Sequence, residues 1–183
     1  MHAIDAGASS LVLVDYQARL MPAIHGAADV VATALALARA AALLELPVLG
    51  TEENPGRLGP NVDALAQLCV QTVPKMHFDA CQDGLLAALD ARAPGRRQVV
   101  IAGCEAHVCM LQTTLGLLRA GREVYVVENA SGSRRPFDHA AAMRRLAQAG
   151  ATIVTHEMVL FEWLRDCRHP RFRELLALVK AET

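Results

Sequence analysis

The sequence predicts an α/β protein: a three-layer α/β/α, doubly wound domain on a mainly parallel six-stranded sheet. Three observations carry this. Strand-like and helix-like segments alternate along the chain. The strand-like segments are continuous apolar runs rather than alternating ones, as in strands covered on both faces. Right-handed crossovers then place helices on both sides of the sheet.

Taken in order, residues 10–15 (SLVLVD) form a buried strand closed by Asp15. Pro22 marks the loop after it. Residues 27–46, rich in Ala and Leu, form a helix stopped by Pro47. Residues 47–51 are a second strand, 52–60 (EENPGRLGP) a loop by their Gly and Pro content, and 62–69 a short helix. Residues 72–75 make a third, weaker strand, and 83–92 a helix with Asp83 as N-cap. Residues 98–103 are the fourth strand. The crossover helix 109–120 follows, ended by Gly121. Residues 123–128 are the fifth strand, 129–138 a polar loop, 139–149 a helix closed by Gly150, and 151–155 the sixth strand. Two helices near 158–166 and 170–181 finish the chain, with Pro170 in the first turn of the second.

The 183 residues fit one domain spanning 1–183, with no internal repeat or low-complexity segment. A formal net charge of −1 and a 53% hydrophobic composition argue against disorder and against an extended nucleic-acid footprint. Apolar stretches are too short to span a bilayer, and MHAIDAGASS lacks the features of a signal peptide, so the expectation is a cytoplasmic protein. Five cysteines without CxxC pairs suggest reduced thiols rather than a disulfide framework.

In a doubly wound fold, ligands sit beyond the C-terminal strand ends, where strand order reverses. Cys109 lies where the fourth strand turns into its helix. The helix dipole and unpaired N–H groups there favour a thiolate. Lys75, directly after the third strand, adds positive charge, and Asp15 offers a carboxylate to carry the thiol proton. Singly, each has a commoner structural use: a strand-end Asp as a cap, a Lys on the surface, a small apolar Cys in the core.

Together these residues carry a resemblance. LVLVDYQ, VPKMHFDAC, VIAGCEAHVCMLQTTLGLLRAG and VYVVENASGSR occur in an order that resembles the isochorismatase-like cysteine hydrolases, over about residues 9–180. TEENPGRLGP and DCRHPRFRELLALVK narrow the resemblance to the isochorismatase-domain-containing branch. The resemblance implies a triad of Asp15 as base and then acid, Lys75 as supporting cation, and Cys109 as nucleophile at an amide-type carbon. It also implies a non-proline cis peptide at Cys104–Glu105, with the N–H groups of Glu105 and Cys109 as an oxyanion hole. Gln17 and Phe78 are pocket candidates; Tyr16, Glu53 and Met21 are weaker ones, and Phe78 is equally at home in a core.

The departures are specific. The nicotinamidase branch carries an Asp-x-His metal motif where this chain reads Thr51-Glu52-Glu53-Asn54, so no metal and no cofactor are expected. Isochorismate-cleaving members have Gly at the place of Cys109. The expected activity is thus a metal-independent cysteine hydrolase of a small C–N bond, through a thioester, on a small-molecule substrate. A fold that binds without turnover, and a thiol redox pair of Cys104 and Cys109, are the alternatives. His107 reads as a turn histidine bonded to backbone rather than as the base, and Arg134-Arg135 as a solvent-facing pair. His156-Glu157 begins a zincin-like motif whose second ligand position holds Leu160, and His77 and Asp79 flank Phe78 without a metal role. The apolar bulk of Leu160, Phe161 and Trp163 suggests burial against another subunit, hence a homo-oligomer.

Overall fold

A computed structural model describes residues 3–180. Six parallel strands form one sheet in the order β3-β2-β1-β4-β5-β6: β1 Ser9–Val14, β2 Val48–Glu53, β3 Gln71–Lys75, β4 Gln98–Gly103, β5 Glu123–Val127 and β6 Thr152–Val154. The chain builds outward from β1 to β3, then returns to the other side of β1 with β4. The order therefore reverses between β1 and β4, and the ends of these strands flank the crevice where such folds bind ligands.

Alternating residues of each strand feed two cores. Leu11, Leu13, Val100, Ala102 and Tyr125 face one way and pack against α1 (Ala27–Leu43) together with two later helices. Val12, Val14, Val99, Ile101 and Val126 face the other way. They meet α4 (Leu85–Arg92), α5 (Cys109–Arg119) and α6 (Pro136–Gln148). α1 buries Ala34, Ala38 and Ala41, whose short side chains let the helix lie close to the sheet. The later helices on that face are α7 (His156–Leu164) and α8 (Phe172–Lys180), and α2 (Pro55–Leu58) and α3 (Asp63–Ala66) are short turns between β2 and β3.

Several boundaries move. β2 continues through Glu52 and Glu53 because both pair with β3, opposite Pro74 and Lys75. Pro74 is tolerated because β3 is an edge strand. The expected loop at 52–60 contains α2, with Pro55 in its first turn. Asp83 does not cap α4, whose N-cap is Gly84. Its carboxylate instead accepts from the N–H groups of Met76 and His77 and contacts the His77 ring, and these bonds hold it down to about 2. α6 begins at Pro136, inside the expected polar loop, and Pro170 sits in the turn before α8 rather than in its first turn. The expected helix residue Ala181 lies outside the described residues.

Gly103, the last residue of β4, is fixed by close approach. A Cβ there would overlap the carbonyl oxygen of Val14. The ends of β1 and β4 meet at this point without a side chain between them.

Candidate active site

The sheet register brings the three strand-end groups together. Asp15 follows β1 with a left-handed backbone (φ 52°), and its N–H donates to the Thr51 carbonyl at 3.2 Å. Lys75 ends β3, two strands away from β1, a spacing of about 10 Å. The lysine stem bridges it: Nζ lies 2.8 Å from Asp15 Oδ2 and 2.7 Å from Glu53 Oε2. The side chains of Lys75 and Asp15 are both fully buried. Asp15 Oδ1 accepts a 2.6 Å hydrogen bond from the Thr51 hydroxyl. Cys109, buried, is the first residue of α5, and its sulfur and carboxylate oxygens of Asp15 and Glu53 all lie within 4.8 Å of one another.

The electrostatics depart from the sequence expectation. Burial first, then the Asp15 charge, pushes the Cys109 thiol well above its ordinary value; Lys75 opposes this, while the bond to Asp15 and the Glu53 charge add to it. The helix dipole and one lysine do not offset desolvation plus two carboxylates. These influences favour the thiol form of the sulfur beside the Asp15 carboxylate over a preformed thiolate. For Lys75, burial pulls its value down, but the Asp15 and Cys109 charges and the bonds to Asp15 and Glu53 outweigh it, so the ammonium is held above the ordinary lysine value.

The Cys104–Glu105 peptide is cis. The N–H groups of Glu105 and Cys109 donate to no group among the described residues, whereas Cys104 N–H donates to Val14 and Ala106 N–H to Gly132. The Glu105 carboxylate is turned away onto Arg134, at 3.0 Å from its N–H and 2.9 Å from its Nε. Arg134 is thus largely exposed, as expected of that pair, yet it anchors the turn.

The pocket candidates separate. Glu53 joins the centre. Gln17 is buried and clamps Glu53, donating to its carbonyl and to that of Gly59 while accepting from its N–H. Tyr16 is wholly buried in the core on the sheet face opposite Cys109, with its hydroxyl donating to Ala130, and Met21 packs in the same core. Phe78 is half-exposed rather than core, and its carbonyl accepts from the Thr113 hydroxyl. His107 bonds the Ser133 hydroxyl rather than a backbone group. Cys104 belongs to the opposite core, and burial, against a Gly132 backbone bond, pushes its thiol up to about 12, which makes it a poor redox partner. Leu160 and Trp163 are buried inside the chain, leaving only Phe161 of that trio partly exposed.

Sequence reasoning missed Thr51 as the hydroxyl that holds Asp15. Only the register Val14↔Thr51 reveals it. As for a cation, the donor set of Asp15, Glu53 and Cys109 already surrounds one, the Lys75 ammonium, bonded to both carboxylates. No helix among the described residues is long and apolar enough to cross a membrane.

Known proteins resemble this chain in both sequence and fold. The isochorismatase domain matches residues 9–158. Isochorismatase domain-containing protein 2 of Macaca fascicularis is 38% identical over 174 residues, covering 95% of this chain and 84% of that protein. Among solved structures, the MAR1 ribonuclease of Caenorhabditis elegans superposes with a TM-score of 0.91 at 31% identity, covering 98% of this chain and 93% of the other. The YcaC gene product of Escherichia coli, described as an octameric hydrolase of unknown specificity, gives 0.87 at 26% identity, covering 100% and 98%. With a domain match over most of its length and a curated relative of this identity, the chain belongs to the isochorismatase domain family.

Proposed function

We propose that this hydrolase-family protein cleaves a small C–N bond of the amide type through a thioester on Cys109. The observation that carries the reading is the meeting of the Cys109 sulfur with Asp15, itself held by Lys75 and Thr51. Asp15 takes the thiol proton as sulfur attacks the carbonyl carbon, so the raised thiol needs no prior ionisation. The N–H groups of Glu105 and Cys109 receive the charge that develops on oxygen. Asp15 returns the proton to the leaving nitrogen and the C–N bond breaks. Water, deprotonated by Asp15, then attacks the thioester; the acid leaves and Cys109 regains its proton. Lys75 keeps the carboxylate charged and placed, and no metal is needed for any step.

A ribonuclease activity, as in the name of the Caenorhabditis relative, is less well supported. Two carboxylates share one ammonium at the centre, and the chain carries net negative charge, both unfavourable to a phosphodiester. Assembly into a homo-oligomer belongs to the same proposal. It is supported by the octameric YcaC relative and by the exposed Phe137 and Met76. Light scattering that reports a strict monomer would refute that part.

The test of the mechanism is a screen of small amides with the unaltered protein and Cys109→Ala, followed by mass spectrometry for an acyl adduct. Turnover and an adduct on Cys109 are expected, both lost in the variant. Turnover that survives in Cys109→Ala overturns the thioester route.

A further inference from the structure

The centre contains a second carboxylate that the proposed mechanism leaves idle. Glu53 is the last residue of β2, in register with Lys75. Its main chain is fixed by Gln17, whose amide donates to the Glu53 carbonyl and accepts from the Glu53 N–H, each at 2.9 Å. One carboxylate oxygen, Oε2, is held by Lys75 at 2.7 Å. The other, Oε1, has no partner among the described residues. The Glu53 side chain is also 12% exposed, where those of Lys75 and Asp15 are not exposed at all. Of the charged groups that bridge through Lys75, only Glu53 is accessible to solvent.

The charges do not balance. Two carboxylates face one ammonium, and Cys109 as a thiol adds nothing. The deep half of the cluster is already neutral, because Lys75 and Asp15 are paired out of water. The excess negative charge therefore belongs to Glu53, at a partly desolvated position where such charge interacts more strongly than in bulk water. A carboxylate oxygen in this setting is complemented by an N–H-bearing cation, whose bond to it is charge-assisted.

We propose that Glu53 is a specificity-determining residue. Its Oε1 accepts from an ammonium, amidinium or guanidinium group close to the scissile carbonyl, so the site selects cationic amides over neutral and anionic ones. This rests on the amide-hydrolase reading for the word substrate, but not for the binding preference itself.

The experiment uses three matched probes: 3-aminopropanamide (cationic), butanamide (neutral) and succinamate (anionic). Affinities are measured by titration calorimetry on Cys109→Ser, which removes turnover, and on Cys109→Ser with Glu53→Gln. Ammonia release from the same three amides is followed with the unaltered protein. The cationic probe should bind at least about tenfold more tightly than the anionic one, and Glu53→Gln should erase most of that gap. Equal affinities, a reversed order, failure of the cation to bind, or a gap unchanged in Glu53→Gln overturns the proposal. Cation-selective binding without ammonia release would instead sink the hydrolase reading and leave the role of Glu53 standing. Equal ammonia release from all three amides would do the opposite.

Discussion

Lys75→Met is the sharpest test of how the buried cluster is held. The substitution keeps the apolar stem and removes the ammonium, leaving Asp15 wholly buried with no cation beside it and only the neutral Thr51 hydroxyl and Cys109 thiol as partners for its charge. Breaking a buried ion pair from one side costs about 3–5 kcal/mol. A ceiling follows from the cheapest escape, uptake of a proton by the stranded carboxyl. That uptake costs about 1.36 kcal/mol for each pH unit above the ordinary aspartate value of about 3.9. The ceiling is therefore about 4 kcal/mol at about pH 7 and about 1.5 kcal/mol at about pH 5. The sign follows from linkage: in the variant the folded state binds this proton more tightly than the unfolded chain, so stability is highest in acid and is lost as pH rises. Glu53, nearer to water, adds little. Urea unfolding of both proteins, followed by circular dichroism at the two pH values, measures the deficit. A deficit that is the same at both, or below about 1 kcal/mol at about pH 7, would refute the picture of a buried, lysine-dependent Asp15.

The unaltered protein should itself lose stability in alkali: Lys75 is held above 10.5, so its contribution is complete below that value and disappears as pH rises through the higher folded value. Unfolding midpoints across the alkaline range should show this fall, and Lys75→Met should lack it. Thr51→Val removes a donor to a buried carboxylate, worth about 1–3 kcal/mol, and should lower kcat about tenfold or more, while Thr51→Ser restores it. Steady-state kinetics on any amide found in the screen would show whether the hydroxyl matters. Cys109 should alkylate with iodoacetamide near neutral pH more slowly than the exposed Cys167, and faster in Glu53→Gln than in the unaltered protein. Peptide mass spectrometry reads both rates, and a faster Cys109 in the unaltered protein would contradict the raised thiol. Gly103→Ala places a methyl group against the Val14 carbonyl and should cost about 1–3 kcal/mol or more in thermal or urea unfolding.

The sheet was legible because a strand covered on both faces needs an unbroken apolar run, and SLVLVD, VVIAG and VYVV provide one each. Segments whose pairing depends on tertiary partners were harder to read. Glu52 and Glu53 look like loop residues, and only the edge strand β3 makes them strand. Asp83 looks like a cap, but two nearer N–H groups take its carboxylate. The identities of Asp15, Lys75 and Cys109 could be singled out from motif order. Their mutual charge balance could not, since a helix start lowers a thiol only until burial and neighbouring carboxylates are counted. Tyr16 shows the same limit: one residue beyond Asp15, it turns to the opposite core, a direction that depends on the left-handed backbone at Asp15. Thr51 left no local signal at all, because a threonine in a strand becomes a carboxylate donor only through the parallel register with β1.

The contact between Gly103 and Val14 has a consequence for how this scaffold can be altered. The seam between the two central strands has no spare volume, so Cys109 and Asp15, which follow them, are locked to one another. The segment after β2 is built differently: Glu53 is secured through its main chain by the Gln17 amide, which leaves its side chain replaceable. If Glu53 selects the substrate's charge as proposed, scope could be rewritten at position 53 by exchanging one side chain, while Cys109 and Asp15 keep their placement across the seam even as the charge they feel changes. An engineer seeking a hydrolase for a different charge class would begin at Glu53 and leave Gly103 alone.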